Sequence, residues 1–167
     1  RLNASHPGMA AVLPMDGYHF DDLYLVPAGL RPRKGAPETF DVGGLATTLR
    51  RLRARDEPFV AVPVFDRDIE IARAGARMIP AETPVIIAEG NYLLLSREPW
   101  AGLRPLFDVA VLVDVPEAVL RARLEARWRG YRLSAEEMAW KLDGNDLPNG
   151  RVVMAESAGV DFLLPNG

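Results

Sequence analysis

Short apolar runs recur along the 167-residue chain and constrain its fold more than any other feature. The runs are rich in valine and isoleucine and do not alternate cleanly with polar residues. They are AAVL at 10–13, FVAVPVF at 59–65, PVIIA at 84–88, VAVLV at 109–113 and VDFLL at 160–164. Such runs predict strands buried on both faces, as in parallel sheets, although period alone does not exclude short buried helices.

Two segments between these runs carry large apolar side chains at helical spacing. The residues are Leu45, Leu49 and Leu52 in one segment and Leu120, Leu124 and Trp128 in the other. Such stripes predict helices that face a core. The segment SAEE at 134–137 predicts a further helix that begins with a capping box. Strands that alternate with helices predict one α/β domain over residues 1–167, with a mainly parallel sheet.

Composition excludes several functional classes. The chain has no cysteine, which excludes disulfides, thiolate zinc sites and thiol nucleophiles within it, and only two histidines, which argues against a histidine-rich metal site. A net charge of -3 gives no general attraction to nucleic acid or to an anionic membrane. No apolar run approaches the roughly 20 residues that span a bilayer. We therefore expect a cytoplasmic protein with neither nucleic-acid nor membrane partners; a homodimer is one option that the sequence does not decide.

Two carboxylates follow predicted strands at their carboxyl ends. Asp16 lies in PMDGYHFDD at 14–22, Glu89 ends the strand IIAE, and each is followed by glycine. Ligands of parallel α/β sheets bind beyond the carboxyl ends of the strands. One carboxylate could act as a general base and the other could organise Mg²⁺. The alternative interpretation is that Asp16 and Glu89 each only cap a helix or a turn. The two acids that follow in the same segment, Asp21 and Asp22, are predicted to be solvated loop acids.

Basic residues stand out in two places. Arg123 and Arg127 share a helix face and lack an acid four residues earlier, so they are candidates to bind an anion such as polyphosphate. Arg33 and Lys34 lie in the loop 25–41, which is longer than most connections within a domain and is therefore a candidate functional segment. The alternative interpretation for both groups is a solvated surface.

Five motifs, in this order, resemble one enzyme family. They are MDGYHF at 15–20, PRKGAPETFD at 32–41, PVFDR at 63–67, IIAEGNYLLL at 86–95 and RARLEARW at 121–128. Together they are similar to the P-loop small-molecule kinases that include phosphoribulokinase, uridine kinase and bacterial pantothenate kinase. The resemblance spans nearly the whole chain and implies a three-layer α/β/α P-loop kinase fold.

The resemblance also implies roles for individual residues, with ATP and Mg²⁺ as cofactors and a small hydroxylated molecule as acceptor. Asp16 corresponds to the general base and Glu89 to the acid near Mg²⁺. Arg123 and Arg127 correspond to a lid, at about 116–132, that closes over the triphosphate. The acceptor side would comprise Tyr18, His19, Arg33, Lys34 and Asp66. Gly17 would let the backbone pass close to substrate.

One family feature does not occur in the chain. No G-x-x-x-x-G-K-[ST] motif, which cradles the phosphates, is found in the 167 residues. We therefore expect that loop, and the first strand of the sheet, to be encoded before Arg1. The alternatives are a non-catalytic nucleotide-binding or regulatory protein, or a hydrolase without an acceptor. For a kinase, a sugar or nucleoside acceptor is favoured over pantothenate.

Overall fold

The computed structural model describes residues 2–131 and 133–167, which form two compact units divided after Leu93. Arg132, the last residue of the predicted lid region, lies outside the described residues. Each unit is described by itself below. That the whole chain makes one kinase domain therefore stays a prediction.

The first unit contains four strands and three α-helices among its described residues. The strands are β1 (Ala10–Pro14), β2 (Phe59–Asp66), β3 (Ile71–Pro80) and β4 (Val85–Glu89). The α-helices are α1 (Leu2–Ser5), α2 (Asp22–Leu25) and α3 (Val42–Ala54). Short 3₁₀ turns occupy Met15–Tyr18, Arg31–Arg33 and Pro37–Thr39. The last two of these turns give the long loop 25–41 a defined path.

Strands β1 and β4 form a parallel pair, as the sequence predicted. Their register runs from Ala10 opposite Val85 to Pro14 opposite Glu89. The two strands therefore end side by side, and their carboxyl ends meet at one edge. The prediction that these strands are buried on both faces was wrong: Leu13 is buried, but Val12 and Ile87 are exposed, because each strand of this pair has only the other as a described neighbour.

The apolar run at 59–65 forms β2, but its pairing differs from the parallel arrangement predicted for it. It pairs antiparallel with β3 in a hairpin that has an irregular register between Val62 and Val64. Only residues 67–70 connect the two strands, and a parallel crossover needs a dozen residues or more. The sequence did not predict strand β3, IARAGARMIP, because this segment is not an apolar run.

Helix α3 supplies much of the core of the first unit. Leu45, Leu49 and Leu52 are all buried, which confirms the predicted stripe. Asp41 caps the start of the helix, and its side chain accepts a hydrogen bond from the amide of Gly44 at 2.8 Å. Side chains from neighbouring segments, including Leu13, Met15, Val60 and Ile79, are also buried. This core fixes the backbone from which the strand-end residues project.

The second unit contains two strands and three α-helices among its described residues. The strands are β5 (Val111–Asp114) and β6 (Phe162–Pro165), and they pair in parallel. The helices are α4 (Glu117–Gly130), α5 (Ala135–Lys141) and α6 (Leu147–Glu156), with a π-helical turn at Leu142–Asp146 and a 3₁₀ segment at Trp100–Leu106. Both strands expose apolar side chains, which again departs from the predicted burial.

The predicted helix signals in the second unit are confirmed in part. Ser134 and Glu137 form the expected capping box, with bonds of 3.2 and 2.9 Å between their side chains and backbone amides. The α4 stripe at Leu120, Leu124 and Trp128 is only half-buried. In the described part of the chain no helix is both long and apolar enough to cross a bilayer.

Candidate active site

The two predicted strand-end carboxylates lie at the same edge of the β1–β4 pair. Glu89 is the last residue of β4 and stands opposite Pro14, the last residue of β1. Asp16 follows two residues later in the 3₁₀ turn Met15–Tyr18. The parallel register explains why residues 73 positions apart in sequence come together. This confirms that both acids lie at the carboxyl ends of paired strands.

The glycine after each acid is required by packing within the protein. A Cβ atom on Gly17 would lie 2.7 Å from the carbonyl oxygen of Pro63 in β2. A Cβ atom on Gly90 would lie 2.4 Å from the Cβ of Met15. Gly17 thus admits the β2 backbone, which differs from the expectation that it admits substrate. The two glycines let the turn that bears Asp16 fit between β2 and the end of β4.

The Asp16 carboxylate forms an ion pair that the sequence analysis did not foresee. Nη2 of Arg67, the first residue after β2, donates a hydrogen bond to Oδ2 of Asp16. Arg67 was missed because the motif PVFDR drew attention to its acid, Asp66. The available signal was the position of Arg67 just beyond a predicted strand, which is the kind of position that identified Asp16 and Glu89.

Electrostatic coupling joins Glu89 to this pair. Partial burial raises the pKa of the Glu89 carboxyl, the charge of Asp16 raises it further, and the charge of Arg67 lowers it. The strand ends therefore hold two acids that repel each other and one guanidinium that offsets part of the repulsion. An added positive charge near Glu89 would relieve the remaining repulsion.

His19 lies between two phenyl rings beside Asp16. Its ring centroid is 4.0 Å from that of Phe40 and 4.7 Å from that of Phe65. Its Nδ1 is 2.8 Å from the backbone carbonyl oxygen of Asp16. Because a carbonyl only accepts, Nδ1 carries the hydrogen and Nε2 keeps its lone pair in the neutral ring. Burial lowers the pKa of His19, so neutral imidazole is the favoured form at pH 7.

Tyr18 points its hydroxyl into the protein. The residue is buried, and its hydroxyl lies beside Thr48 of α3. Burial raises the pKa of this phenol. Tyr18 is therefore placed as a support beneath the turn that bears Asp16.

The other predicted acceptor-side residues are all held by ion pairs. Lys34 is 6% exposed, and its Nζ donates to Oδ1 of Asp22 and to the carbonyl of Glu70, at 2.7 Å each. Two more ion pairs involve the same loop, Arg31 with Asp22 and Arg33 with Glu38, and Asp66 pairs with Arg73 in the β2–β3 hairpin. Asp22 is thus part of a network, and Asp21 caps α2, which corrects their interpretation as solvated acids.

Arg123 and Arg127 lie in the second unit, on α4. Arg123 makes a hydrogen bond of 3.4 Å to the side chain of Asn166. The Arg127 guanidinium lies 5.2 Å from the ring centroid of Trp128. Within residues 2–131 and 133–167 neither arginine forms an ion pair, whereas Arg129 on the same helix pairs with Glu125 at 3.0 Å.

Comparisons with known proteins identify relatives over most of the chain. It is 40% identical over 168 residues to YggC of Escherichia coli K12, covering 98% of the chain and 68% of that protein. It is 39% identical over 120 residues to the ATP-dependent kinase-like protein notR' of Aspergillus versicolor, covering 68% of the chain and 70% of that protein. A proposed uridine kinase of Schizosaccharomyces pombe is 29% identical, with 92% of the chain and 68% of that protein covered. No protein-family profile matches.

Solved structures agree with this relationship. A proposed fructose transport system kinase from Silicibacter sp. TM1040 superposes with a TM-score of 0.88 at 42% identity, covering 93% of the chain and 75% of that structure. YFH7 of Saccharomyces cerevisiae, described as a proposed P-loop-containing kinase with a circular permutation, shares the fold with a TM-score of 0.77 at 22% identity, over 95% of this chain and 58% of that one. The predicted fold class is thus confirmed, and the chain belongs to the P-loop small-molecule kinases that include the uridine kinases.

Proposed function

We propose that the protein transfers the γ-phosphoryl group of ATP to a hydroxyl of a small metabolite, with Asp16 as the general base. The observation that carries the proposal is the pair of acids, Asp16 and Glu89, at the ends of two paired parallel strands. Relatives named as ATP-dependent kinases support ATP as the donor. Phosphoryl transfer depends mainly on positioning and charge neutralisation, and two acids at one edge could supply a base and hold a neutralising cation.

The proposed reaction needs one proton acceptor. The acceptor hydroxyl gives its proton to the Asp16 carboxylate while its oxygen forms a bond to the γ-phosphorus of ATP. The bond between that phosphorus and the β,γ-bridging oxygen breaks, and ADP leaves with the electron pair. Asp16 suits the role of base because it is partly exposed and follows a strand end, where a ligand can approach it.

The residues at the strand ends fit a magnesium ion. Mg²⁺ prefers oxygen ligands and is often held by one or two carboxylates together with substrate phosphates. We propose that Glu89 holds it, because partial burial and the charge of Asp16 raise the pKa of this carboxyl and a cation would offset that repulsion. When bound, the ion would neutralise charge on the triphosphate. The described residues contain no cluster of three or more metal-binding side chains, at this edge or elsewhere, so the proposed site would rely on these carboxylates together with the substrate phosphates.

We propose that His19 recognises the acceptor through Nε2. The carbonyl of Asp16 holds the hydrogen on Nδ1, so Nε2 can accept a hydrogen bond from a substrate hydroxyl or amine. Phe40 and Phe65 hold the ring in place. The buried side chain of Tyr18 supports the turn that bears Asp16. Lys34 holds its loop in place through hydrogen bonds to Asp22 of α2 and to the carbonyl of Glu70.

The charge balance favours a neutral acceptor, either a sugar or a nucleoside, over pantothenate, which carries a carboxylate. Lys34, Arg33 and Asp66 are each matched with a partner of opposite charge. An anionic acceptor would have to displace one of these carboxylates. The names of two relatives, a proposed fructose transport system kinase and a proposed uridine kinase, support the same two substrate classes.

We further propose that Arg123 and Arg127 act as lid residues that contact the triphosphate. Both are exposed on α4. Guanidinium groups suit phosphate recognition because they stay charged and donate in pairs. The lack of an ion pair for either one within the described ranges leaves these donors available for an anion.

A substrate screen tests the proposal. The full-length natural protein would be incubated with ATP, Mg²⁺ and separate panels of sugars, nucleosides and pantothenate, and each phosphorylated product would be detected by mass spectrometry. We expect phosphorylation within the sugar or nucleoside panel. Binding of ATP without phosphorylation of any acceptor would favour a non-catalytic nucleotide-binding protein. Release of phosphate at the same rate with and without acceptors would favour a hydrolase.

A further inference from the structure

Arg67 occupies a distinctive position at the strand ends. Its guanidinium donates to Oδ2 of Asp16 and lies 5.8 Å from the ring centroid of Phe65. Its charge also acts on Glu89. From the end of β2, one cation therefore forms a hydrogen bond with Asp16 and acts on Glu89 through its charge. The reaction proposed above gives it no role.

Distance places Arg67 close to the phosphoryl group in that reaction. A hydroxyl that gives its proton to Asp16 must lie within about 2.6–3.2 Å of the carboxylate. The phosphorus must lie about 3–3.5 Å from that hydroxyl oxygen. Because Arg67 already donates to the same carboxylate, the transferred phosphoryl oxygens come within reach of its guanidinium after a small side-chain movement.

The exposure of Arg67 makes that movement inexpensive. Its side chain is 50% exposed, and an ion pair this exposed to solvent contributes little to stability. Lys34, in contrast, is buried with two acceptors. Arg73, on the same hairpin, is held by Asp66. Of these cations, Arg67 alone is paired with the proposed catalytic base.

We infer that Arg67 is a catalytic residue that transfers its hydrogen bond from Asp16 to the phosphoryl group as that group moves to the acceptor. The inference rests on the proposed function, in which Asp16 accepts the proton. Arg67 neither gains nor loses a proton in the step. It stabilises the negative charge on the phosphoryl oxygens in the transition state, and its departure frees a carboxylate oxygen for the incoming hydroxyl.

Binding of a transition-state mimic tests the inference without knowledge of the acceptor. The full-length natural protein and its Arg67→Met and Arg67→Lys variants would be titrated with MgADP alone and with MgADP plus aluminium fluoride, which mimics the transferring phosphoryl group. Arg51→Met is the matched control, because Arg51 also forms an exposed ion pair in the same unit, with Glu57 on the side of α3. Thermal unfolding would verify that each variant folds.

We expect Arg67→Met to weaken the aluminium fluoride complex about 100-fold, while affinity for MgADP changes less than about twofold. Arg67→Lys should lose about tenfold, since it keeps the charge but not the planar fork. The Arg51 control should match the wild type. Equal loss of both affinities, or no loss of either, would overturn the inference.

Kinase activity separates this result from the fate of the proposed function. If the wild type phosphorylates an acceptor and Arg67→Met does so at the same kcat, the kinase proposal stands and the Arg67 role is overturned. If the mimic binds through Arg67 but no acceptor is phosphorylated, the phosphoryl contact stands and the kinase proposal fails. If the wild type binds neither nucleotide complex, both are overturned.

Discussion

Two ion pairs of the first unit use the same chemistry but differ in their surroundings. Lys34 is 6% exposed and has two acceptors, the carboxylate of Asp22 and the carbonyl of Glu70. Arg67 is half-exposed, and Asp16 supplies its one hydrogen bond within residues 2–131 and 133–167. A buried cation with two acceptors stabilises the chain, whereas an exposed cation with one acceptor can exchange that acceptor for a ligand.

The Asp16–Arg67 pair should therefore govern activity with little effect on stability. We expect Asp16→Asn to lower kcat by about 10³-fold, because the amide cannot accept the proton of the hydroxyl. The free energy of unfolding should change by less than about 1 kcal/mol, as is typical of an exposed pair. Steady-state kinetics of the full-length protein and urea denaturation measure the two effects. Near-normal turnover would refute the assignment of Asp16 as base.

The Lys34–Asp22 pair should show the opposite behaviour. Lys34→Met would leave the Glu70 carbonyl without its donor, and Asp22 with Arg31 as its remaining cation. We expect the free energy of unfolding to fall by about 1–2 kcal/mol, with kcat nearly unchanged. Arg33→Met, which removes an exposed pair from the same loop, is the matched variant for stability and should cost much less. A large loss of kcat with normal stability would place Lys34 in direct contact with substrate.

The pH dependence of stability gives a second measure of the Lys34 pair. The hydrogen bond from Lys34 lowers the pKa of Asp22 below its ordinary value of 3.8. The stabilisation is therefore present above pH 3.8 and is lost as the pH falls through the lower folded value. Lys34→Met should weaken this acid-side loss. Urea denaturation at several pH values would detect the difference.

What the sequence predicted, and what it did not, follows from the range of the interactions. Local period predicted α3 and the capping box of Ser134, because both depend on neighbours within a few residues. Asp16 and Glu89 were identified as candidate site residues because they lie at the ends of predicted strands, where ligands of parallel sheets bind. The partners of a side chain such as Lys34 could not be predicted in this way, because they lie 12 and 36 residues away in sequence. Nothing in the sequence near Lys34 indicates that its ammonium group is shielded from solvent.

Arg67 shows the same limit for the candidate site. Its ion pair joins residues 51 positions apart, and the pair exists because β2 turns back into β3 and does not cross over to a parallel partner. The sequence predicted parallel pairing for that run, so it gave no indication of a turn that holds Arg67 beside Asp16. The hairpin was not predicted because β3 is not an apolar run and was not recognised as a second strand four residues after β2.

The α4 arginines extend the comparison to the second unit. Arg123 and Arg127 are exposed and form no ion pair within the described ranges, whereas Arg129 pairs with Glu125. We expect Arg123→Ala or Arg127→Ala to lower kcat/KM for ATP by about tenfold each, because each removes a charged donor to phosphate. Arg129→Ala should lower it much less. Equal effects of all three substitutions would indicate a general charge effect and would remove the lid assignment.

The smallest expected effect is a change in the titration of His19, which reports on both ion pairs. Burial lowers the pKa of His19 below its ordinary value of 6.5; Asp16 raises it through its carbonyl and its charge, and the charge of Lys34 lowers it. Lys34→Met should therefore raise this pKa and Asp16→Asn should lower it. NMR titration of the ring protons measures both shifts, with His6→Asn used to assign the two histidines.

The same titration predicts a pH effect on stability. Below pH 6.5 the unfolded chain protonates His19 more readily than the folded chain does. The free energy of unfolding should therefore be independent of His19 above pH 6.5 and fall as the pH drops through the folded pKa. His19→Asn should abolish that part of the decline. If the decline persists in His19→Asn, groups other than this half-buried imidazole cause it, and the proposal that the ring faces the acceptor in its neutral form loses the support of the lowered pKa.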